Sequence, residues 1–323
     1  MEGAMRLLAL ILGFASASAM AQGWPAKPVH VIVAYPPGGG HDFVARTVAQ
    51  RLGEVLKQSF VVENRAGASG VIGADYVAKS APDGYTFLVA SPAETVVGPL
   101  AGQKAPYNWE KDLAPVTLIG ETPLAIAIHP SVPAQTIQEL LALAKRAPGT
   151  LAYGTPGSGS SMHFAGESLK AIAGVFIVHI PYRGAAPAVT DLLGGQVQIG
   201  IVGMPPVVGH AKSGKLRIVA VTSGKRSAAT PEVPAMAELP GFAGYHVTNW
   251  QGVFMAANTP PAVIERLAAE IGKVVREPAM REKLLAAGVD PEGLTTAQFI
   301  AFLAKERVTY GNIAKARNIK VDD

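Results

Sequence analysis

The chain of 323 residues contains no cysteine. That excludes disulfides, thiolate metal sites, a cysteine nucleophile and a lipid-modified N-terminal cysteine. Beyond the first two dozen residues it also lacks any run of about 20 apolar residues, the length a membrane-spanning helix needs. Charge is sparse, at 16% against 49% hydrophobic residues, which is the balance of a packed globular protein and not of a disordered one. A chain of this length can bury enough surface to stand without disulfides, and it suggests two domains of roughly 150 residues each. The formal net charge of +4 is scattered, with Lys145-Arg146 and Lys225-Arg226 the densest pairs. No basic stripe interleaved with aromatics appears, so no nucleic-acid partner is expected; the mild positive field favours small anions without specifying one.

Catalytic signatures are missing as well. Gly157-Ser158-Gly159 and Gly67-Ala68-Ser69-Gly70 both fail the G-x-S-x-G pattern of a nucleophile elbow. Gly209-His210-Ala211-Lys212-Ser213-Gly214-Lys215-Leu216 nearly spells a P-loop, but Leu216 stands where a magnesium-binding hydroxyl is needed and a strand follows in place of a helix. Met162 occupies the place of the third dinucleotide glycine after Gly157 and Gly159. The seven histidines show no paired metal-ligand spacing. No catalytic residue, metal or cofactor is expected.

What is present begins with a sorting signal. Arg6 precedes an apolar or small stretch over 7–19, and Ala19-Met20-Ala21 offers a small-x-small cleavage pattern. Cleavage after Ala21 is expected to leave an exported mature chain starting at Gln22, with no direct membrane insertion; an uncleaved anchor is the rival reading.

Strand and helix patterns then alternate along the whole chain. Short apolar runs at 29–34, 60–63, 85–90, 124–128, 151–154, 177–180, 197–201, 216–221 and 252–255 read as buried strands of parallel sheets covered on both faces. Residues 42–57 carry Val44, Val48, Leu52, Val55 and Leu56 on one helical stripe. Thr136-Ile137-Gln138-Glu139 is a capping box, Thr295-Thr296-Ala297-Gln298 resembles another, and Pro260-Pro261 leads a helix that Pro278 stops. This pattern predicts a doubly wound α/β architecture, in which ligands lie beyond the carboxyl ends of the strands.

Two glycine-rich loops fall at such ends. The first is Tyr35-Pro36-Pro37-Gly38-Gly39-Gly40-His41-Asp42; the second runs from Gly154 through Thr155, Gly157, Ser158, Gly159, Ser160 and Ser161 to His163. A helix start leaves its first N–H groups unpartnered and carries partial positive charge, and glycine lets a ligand approach closely. Two such mouths facing each other can hold a carboxylate without an arginine. Asp42 can cap its helix, and the hydroxyls of the second loop can donate to an anion. His41 and His163 read equally well as loop or helix-surface residues. A third mouth, Pro181-Tyr182-Arg183-Gly184-Ala185-Ala186-Pro187, brings Arg183, which reads more simply as a surface residue than as a ligand contact.

In order, these loops resemble the tripartite tricarboxylate transporter substrate-binding (Bug) family of extracytoplasmic receptors. The carriers are the Tyr35–Asp42 loop with Ala45-Arg46, Val62-Glu63-Asn64-Arg65-Ala66-Gly67, Ala81-Pro82-Asp83-Gly84-Tyr85-Thr86, the loop ending at His163, and Asp191-Leu192-Leu193-Gly194-Gly195-Gln196. The resemblance implies a two-domain clamshell of the periplasmic binding type, with a doubly wound sheet in each domain and the ligand cleft between. It places one domain at 22–122 plus 250–323 and the other at 123–249. Its implied contacts are Tyr35, Gly38, Gly39, Gly40, His41 and Asp42, with Ser91 and Thr95 on the cleft floor. From the other side come Thr155, Gly157, Ser158, Gly159, Ser160, Ser161 and His163, together with Ala185 and Gly203. The implied partners are a small carboxylate and the permease subunits of a tripartite transporter, the receptor itself being a periplasmic monomer. His41, Glu94 and Val202-Gly203 depart from the family pattern, which points to an acid with an aromatic or weakly polar body. A periplasmic sensor for a receptor kinase and an exported hydrolase using a loop serine are the alternatives.

Overall fold

The computed structural model describes residues 23–317; the expected signal at 1–21, its cleavage point and the residues after 317 lie outside that range. The chain opens with β1 (Val29–Val33), α1 (Gly40–Leu56), β2 (Phe60–Asn64), α2 (Val71–Ala78) and β3 (Thr86–Ala90). It continues through β4 (Leu113–Ile128), α3 (Ile137–Arg146), β5 (Ala152–Thr155), α4 (Ser161–Ala173) and β6 (Val178–Pro181). Then follow α5 (Ala185–Leu193), β7 (Ile199–Gly203), α6 (Pro205–Lys212) and β8 (Arg217–Val221). The last elements are β9 (Thr248–Ala256), α7 (Pro261–Arg276), α8 (Pro278–Ala286), β10 (Asp290–Pro291) and α9 (Thr296–Arg317).

Local signals explain where these elements start and stop. In α3 the Thr136 hydroxyl accepts the Glu139 N–H, and at the start of α9 Thr295 and Gln298 serve each other's backbone N–H groups. The helix α7 begins on Pro261 and turns Val263, Leu267, Ile271, Val274 and Val275 inward, the spacing of one buried stripe. It stops before Glu277, whose extended backbone lets Pro278 open α8 as its first residue.

The sheet is mixed, which corrects the expectation of parallel sheets. Parallel pairing holds for β1 with β2 and β3, and for β5 with β6 and β7. By contrast β4 and β9 run antiparallel to each other, over Leu113–Pro123 against Thr248–Ala256, and β9 is also antiparallel to β3. From Leu124 onward β4 changes partners and pairs antiparallel with β7 and β8. The reason is chain direction. One strand leaves the first half of the sheet as β4 and the chain returns as β9 beside it, so the two must point opposite ways. The two-domain clamshell fold follows, with parallel βαβ units on either side of this antiparallel seam.

Side chains alternate across a strand. Trp250 of β9 therefore turns its ring away from the face that carries its neighbours Asn249 and Gln251. The ring is fully buried against Phe299 and Phe302 of α9, at centroid distances of 6.2 and 6.0 Å, and Phe254 meets Phe299 at 5.3 Å. The Trp250 indole N–H donates to Glu306 at 2.9 Å, so α9 is fastened to β9 by an aromatic cluster and one buried hydrogen bond. Replacing Phe299 by Ala should cost about 3–5 kcal/mol of stability, the range for a large buried aromatic, read as a drop in the urea midpoint without a change of slope.

Candidate functional site

Between the two halves of the sheet lies a cavity of about 60 Å³. At roughly 10–15 Å³ per water-sized group it has room for only a small ligand. The first half contributes Tyr35, Pro36, Pro37, Gly39, Gly40 and His41 from the loop into α1, then Ser69, Ser91, Ala93 and, from the seam, Thr122, Asn249 and Gln251. The second half contributes Pro156, Ser160, Ser161 and Met162 at the start of α4, Ala185 and Ala186 at the start of α5, and Gly203, Pro205 and Pro206 leading into α6. No lysine or arginine is among these residues.

Helix starts leave backbone donors beside this cavity, in addition to its hydroxyl and amide side chains. In α1 the first backbone bond runs from the Phe43 N–H to the Gly39 carbonyl, which leaves the N–H groups of Gly40, His41 and Asp42 ahead of the helical ladder. In α4 the first is Phe164 N–H to Ser160 carbonyl, while the Ser160 hydroxyl accepts the His163 N–H; Ser161 and Met162 precede it. Gly184 caps α5 with φ at +132°, a conformation that favours glycine, and gives no side-chain bond to that helix start. The start of α6 differs, because Pro205 and Pro206 have no N–H to offer.

The remaining predicted residues hold these loops in place. Asp42 is buried beside the cavity but does not line it. Its carboxylate accepts the Gly38 N–H at 3.0 Å, the Arg46 guanidinium at 2.9 Å and the Asn64 amide at 2.9 Å, and Asn64 also donates to the Tyr35 carbonyl. Burial pushes the Asp42 pKa up, but the bonds from Arg46, Gly38 and Asn64 outweigh it and hold the group below the usual carboxylate range. Thr95 donates to the Ser91 carbonyl, and the Thr155 hydroxyl is bonded to the His179 ring. The His163 ring accepts the Gly159 N–H and stacks on His179 at 4.1 Å. The Ser160 hydroxyl donates to the Gly157 carbonyl at 2.7 Å while capping α4, so its proton is committed to the loop and not to a general base.

Gly157 and Ser158 line an outer recess of about 580 Å³ together with Tyr182 and the exposed Arg183; it adjoins the inner cavity at Tyr35, Pro36, Ser69 and Pro156. The Ser69 hydroxyl reaches across from the first half and donates to the Ser158 carbonyl at 3.2 Å. Across the same gap, a Cβ added to Gly40 would touch Pro205, and one added to Gly184 would touch Pro36, each at 3.5 Å. The two halves are in contact over the cavity.

Residues 44–319 match the family described as the tripartite tricarboxylate transporter family receptor. The chain belongs to this family. It is 38% identical to the BugT protein of Bordetella pertussis over 98% of both chains. An R. palustris protein solved with adipate is 31% identical and superposes with a TM-score of 0.89, covering 93% of this chain and all of that one. MatC from Rhodopseudomonas palustris, solved with bound malate, is 25% identical with a TM-score of 0.81, covering 90% of this chain and 99% of that one.

In this receptor His41 is a neutral group. Its ring lies against Tyr35 at 4.9 Å, and burial drives its pKa down to about 4, against the small opposing effect of a bond to the Trp250 carbonyl. A carbonyl only accepts, so Nε2 carries the proton in this 3.2 Å bond, and Nδ1 is left as an acceptor. Several lining residues escape sequence reasoning. Thr122, Asn249 and Gln251 sit in strands, where Gln251 and Thr122 bond to each other; a signal did exist, since two amides alternating about a tryptophan within a buried strand need polar partners. Pro205-Pro206 follows a strand as the first two loops do, but without glycines.

Between pH about 4 and 6.5 the unfolded chain holds a proton on His41 that the folded chain excludes. His41 therefore contributes stability that builds as pH rises across that window and is lost as pH falls through it. In urea midpoints taken against pH, the stability difference between the unaltered chain and His41→Gln should change by something of order 3 kcal/mol across that window, whatever the slope that the other buried groups give both.

Proposed function

We propose that this receptor works outside the cytoplasmic membrane. It captures a small carboxylate in the cavity between its two lobes and delivers it to the permease subunits of a tripartite transporter. The observation that carries this reading is the convergence of the α1, α4 and α5 starts on one cavity that has no cationic side chain. Such a site suits an anion whose oxygens can be shared among several neutral donors. The adipate and malate bound by similar proteins support a carboxylate. Each helix-end interaction is worth roughly 0.3–1 kcal/mol when exposed and up to ~2 when partly buried, so several with apolar contact can reach micromolar affinity, about −8 kcal/mol.

The ligand's carboxylate belongs at the Gly39–His41 and Ser160–Met162 walls. Its body, weakly polar and either aliphatic or aromatic, belongs against Ala185, Gly203, Pro205 and Pro206. The lobes are assigned to 22–122 with 250–323 and to 123–249, and the hinge to Pro123 of β4 and the entry to β9 at Thr248. Closure then excludes water from the hydrogen bonds, strengthening each one.

Calorimetry with mono-, di- and tricarboxylates, aromatic acids included, tests the ligand class. Micromolar binding of a mono- or dicarboxylate is expected, and preference for citrate would overturn the weakly polar body. Gly39 has φ at −82°, and a Cβ there would clear the Pro36 carbonyl at 3.7 Å, so Gly39→Val should fold normally. It should nevertheless weaken binding at least tenfold by blocking access to the loop; undiminished affinity would count against the site.

A further inference from the structure

Glu94 is 1% exposed and lies just behind the cavity wall, on the π-type turn Ala93–Val97. Its Oε1 accepts the Ser91 N–H at 2.7 Å. Its Oε2 lies 2.5 Å from the Ser91 hydroxyl and 2.8 Å from the Tyr35 hydroxyl, and those two oxygens are 2.7 Å apart. The Ser91 Oγ also accepts the Ala93 N–H at 3.0 Å. Three oxygens thus form a closed triangle, and two of them belong to residues that line the cavity.

The protons of this triangle can be counted. With Glu94 ionised there are two, and both are drawn to Oε2, because bonds to an ionised acceptor are the stronger ones. Tyr35 and Ser91 then offer only lone pairs to an incoming anion. One more proton changes the pattern. Oε2–H donates to one hydroxyl, that hydroxyl donates to the other, and the other is released to donate into the cavity. An anion entering beside an ionised, buried carboxylate would in addition meet like-charge repulsion at low dielectric.

We propose that Glu94 is the proton-accepting member of the ligand site: a carboxylate is bound together with one proton from solvent, which settles on Glu94 Oε2 and frees a Tyr35 or Ser91 hydroxyl to donate to the ligand. This rests on the carboxylate reading above. The surroundings agree. Burial pushes Glu94 up to about 7, against its bonds from Ser91 and Tyr35. The Ala68–Gly70 turn packed against it has no ionisable side chain, and Tyr107 donates to its backbone carbonyl. Asp75 of α2 pairs with Lys79. From α9, Glu306, Arg307 and Tyr310 engage Trp250, Glu110 and Thr248. His41, beyond Tyr35, stays neutral, and none of the ion pairs among the described residues involves Glu94.

The test titrates the full chain with malonate, succinate, adipate and malate by calorimetry, at about pH 6 and about pH 8.5; completing the second ionisation of such acids above pH 6 raises their charge with pH and so cannot produce the fall expected. Affinity should fall roughly tenfold per pH unit above about 7, some thirtyfold across the interval. Heats in phosphate and Tris near pH 8 should report uptake of close to one proton. In Glu94→Gln the slope should vanish, whatever the absolute affinity. In Glu306→Gln, which removes the other carboxyl pushed up to about 7, it should persist. Binding that is flat with pH, or a slope retained in Glu94→Gln, overturns the proposal. If that variant does not fold, the proton count on the unaltered chain decides, zero uptake overturning it. Absence of binding by these four and by every monocarboxylic and aromatic acid of the panel above sinks the carboxylate reading, and the coupling falls with it.

Discussion

The loops of the site answer to one constraint: a backbone N–H at the start of a helix must find an acceptor. The Gly38 N–H finds Asp42, the Gly159 N–H finds His163 and the His163 N–H finds Ser160. Those bonds satisfy the outer amides and in doing so fix the loops. Ahead of the α1 and α4 ladders, Gly40, His41, Ser161 and Met162 are left over, and these four residues line the cavity. An acceptor that enters exchanges water for these amides, a net gain of about 0.5–1.5 kcal/mol per bond. Folding and ligand capture draw on the same hydrogen-bonding demand.

The absence of a cation from the wall has a physical logic. A buried lysine or arginine would need a permanent counterion or several kcal/mol to desolvate. Neutral amides and hydroxyls need neither, and they are directional, so they discriminate by shape as well as charge. The ionisable groups close to the cavity fit this scheme. Burial keeps His41 neutral, while Asp42 is held ionised by Arg46 and Asn64 on the side away from the cavity. Arg183 lies on the outer recess, where it can act on an approaching anion through its field but not hold it in the inner cavity.

Much of this was legible in the residues alone. Three glycines before Asp42, and a serine-rich turn before His163, announced two helix mouths, and both border the cavity. Strand positions were readable wherever an apolar run was continuous. The antiparallel seam was not, because direction depends on which distant segment a strand meets; the first part of β4, which contains Pro115, Thr117 and Pro123, also lacks the apolar signature. Thr95, Thr155 and His163, which the resemblance implies as contacts, have their polar groups bonded to Ser91, His179 and Gly159 behind the cavity wall. The choice between facing a ligand and bracing a loop is made by side-chain rotation, which no spacing encodes. Asn249 and Gln251 were hidden for the opposite reason: their strand reads as core, and only the pairing with Thr122 puts them on the open face.

The paired prolines that open α6 give that wall a distinct character. With no N–H in its first two positions, it presents carbon where the other helix mouths present nitrogen. Contact there has no directional requirement, so molecules differing by a methylene or a ring edge are sorted at that surface by volume alone. On the proposed reading of the site, fidelity for an acid head and latitude for a tail fall to different helices, and drift at positions 205 and 206 changes the menu of solutes without touching the grip.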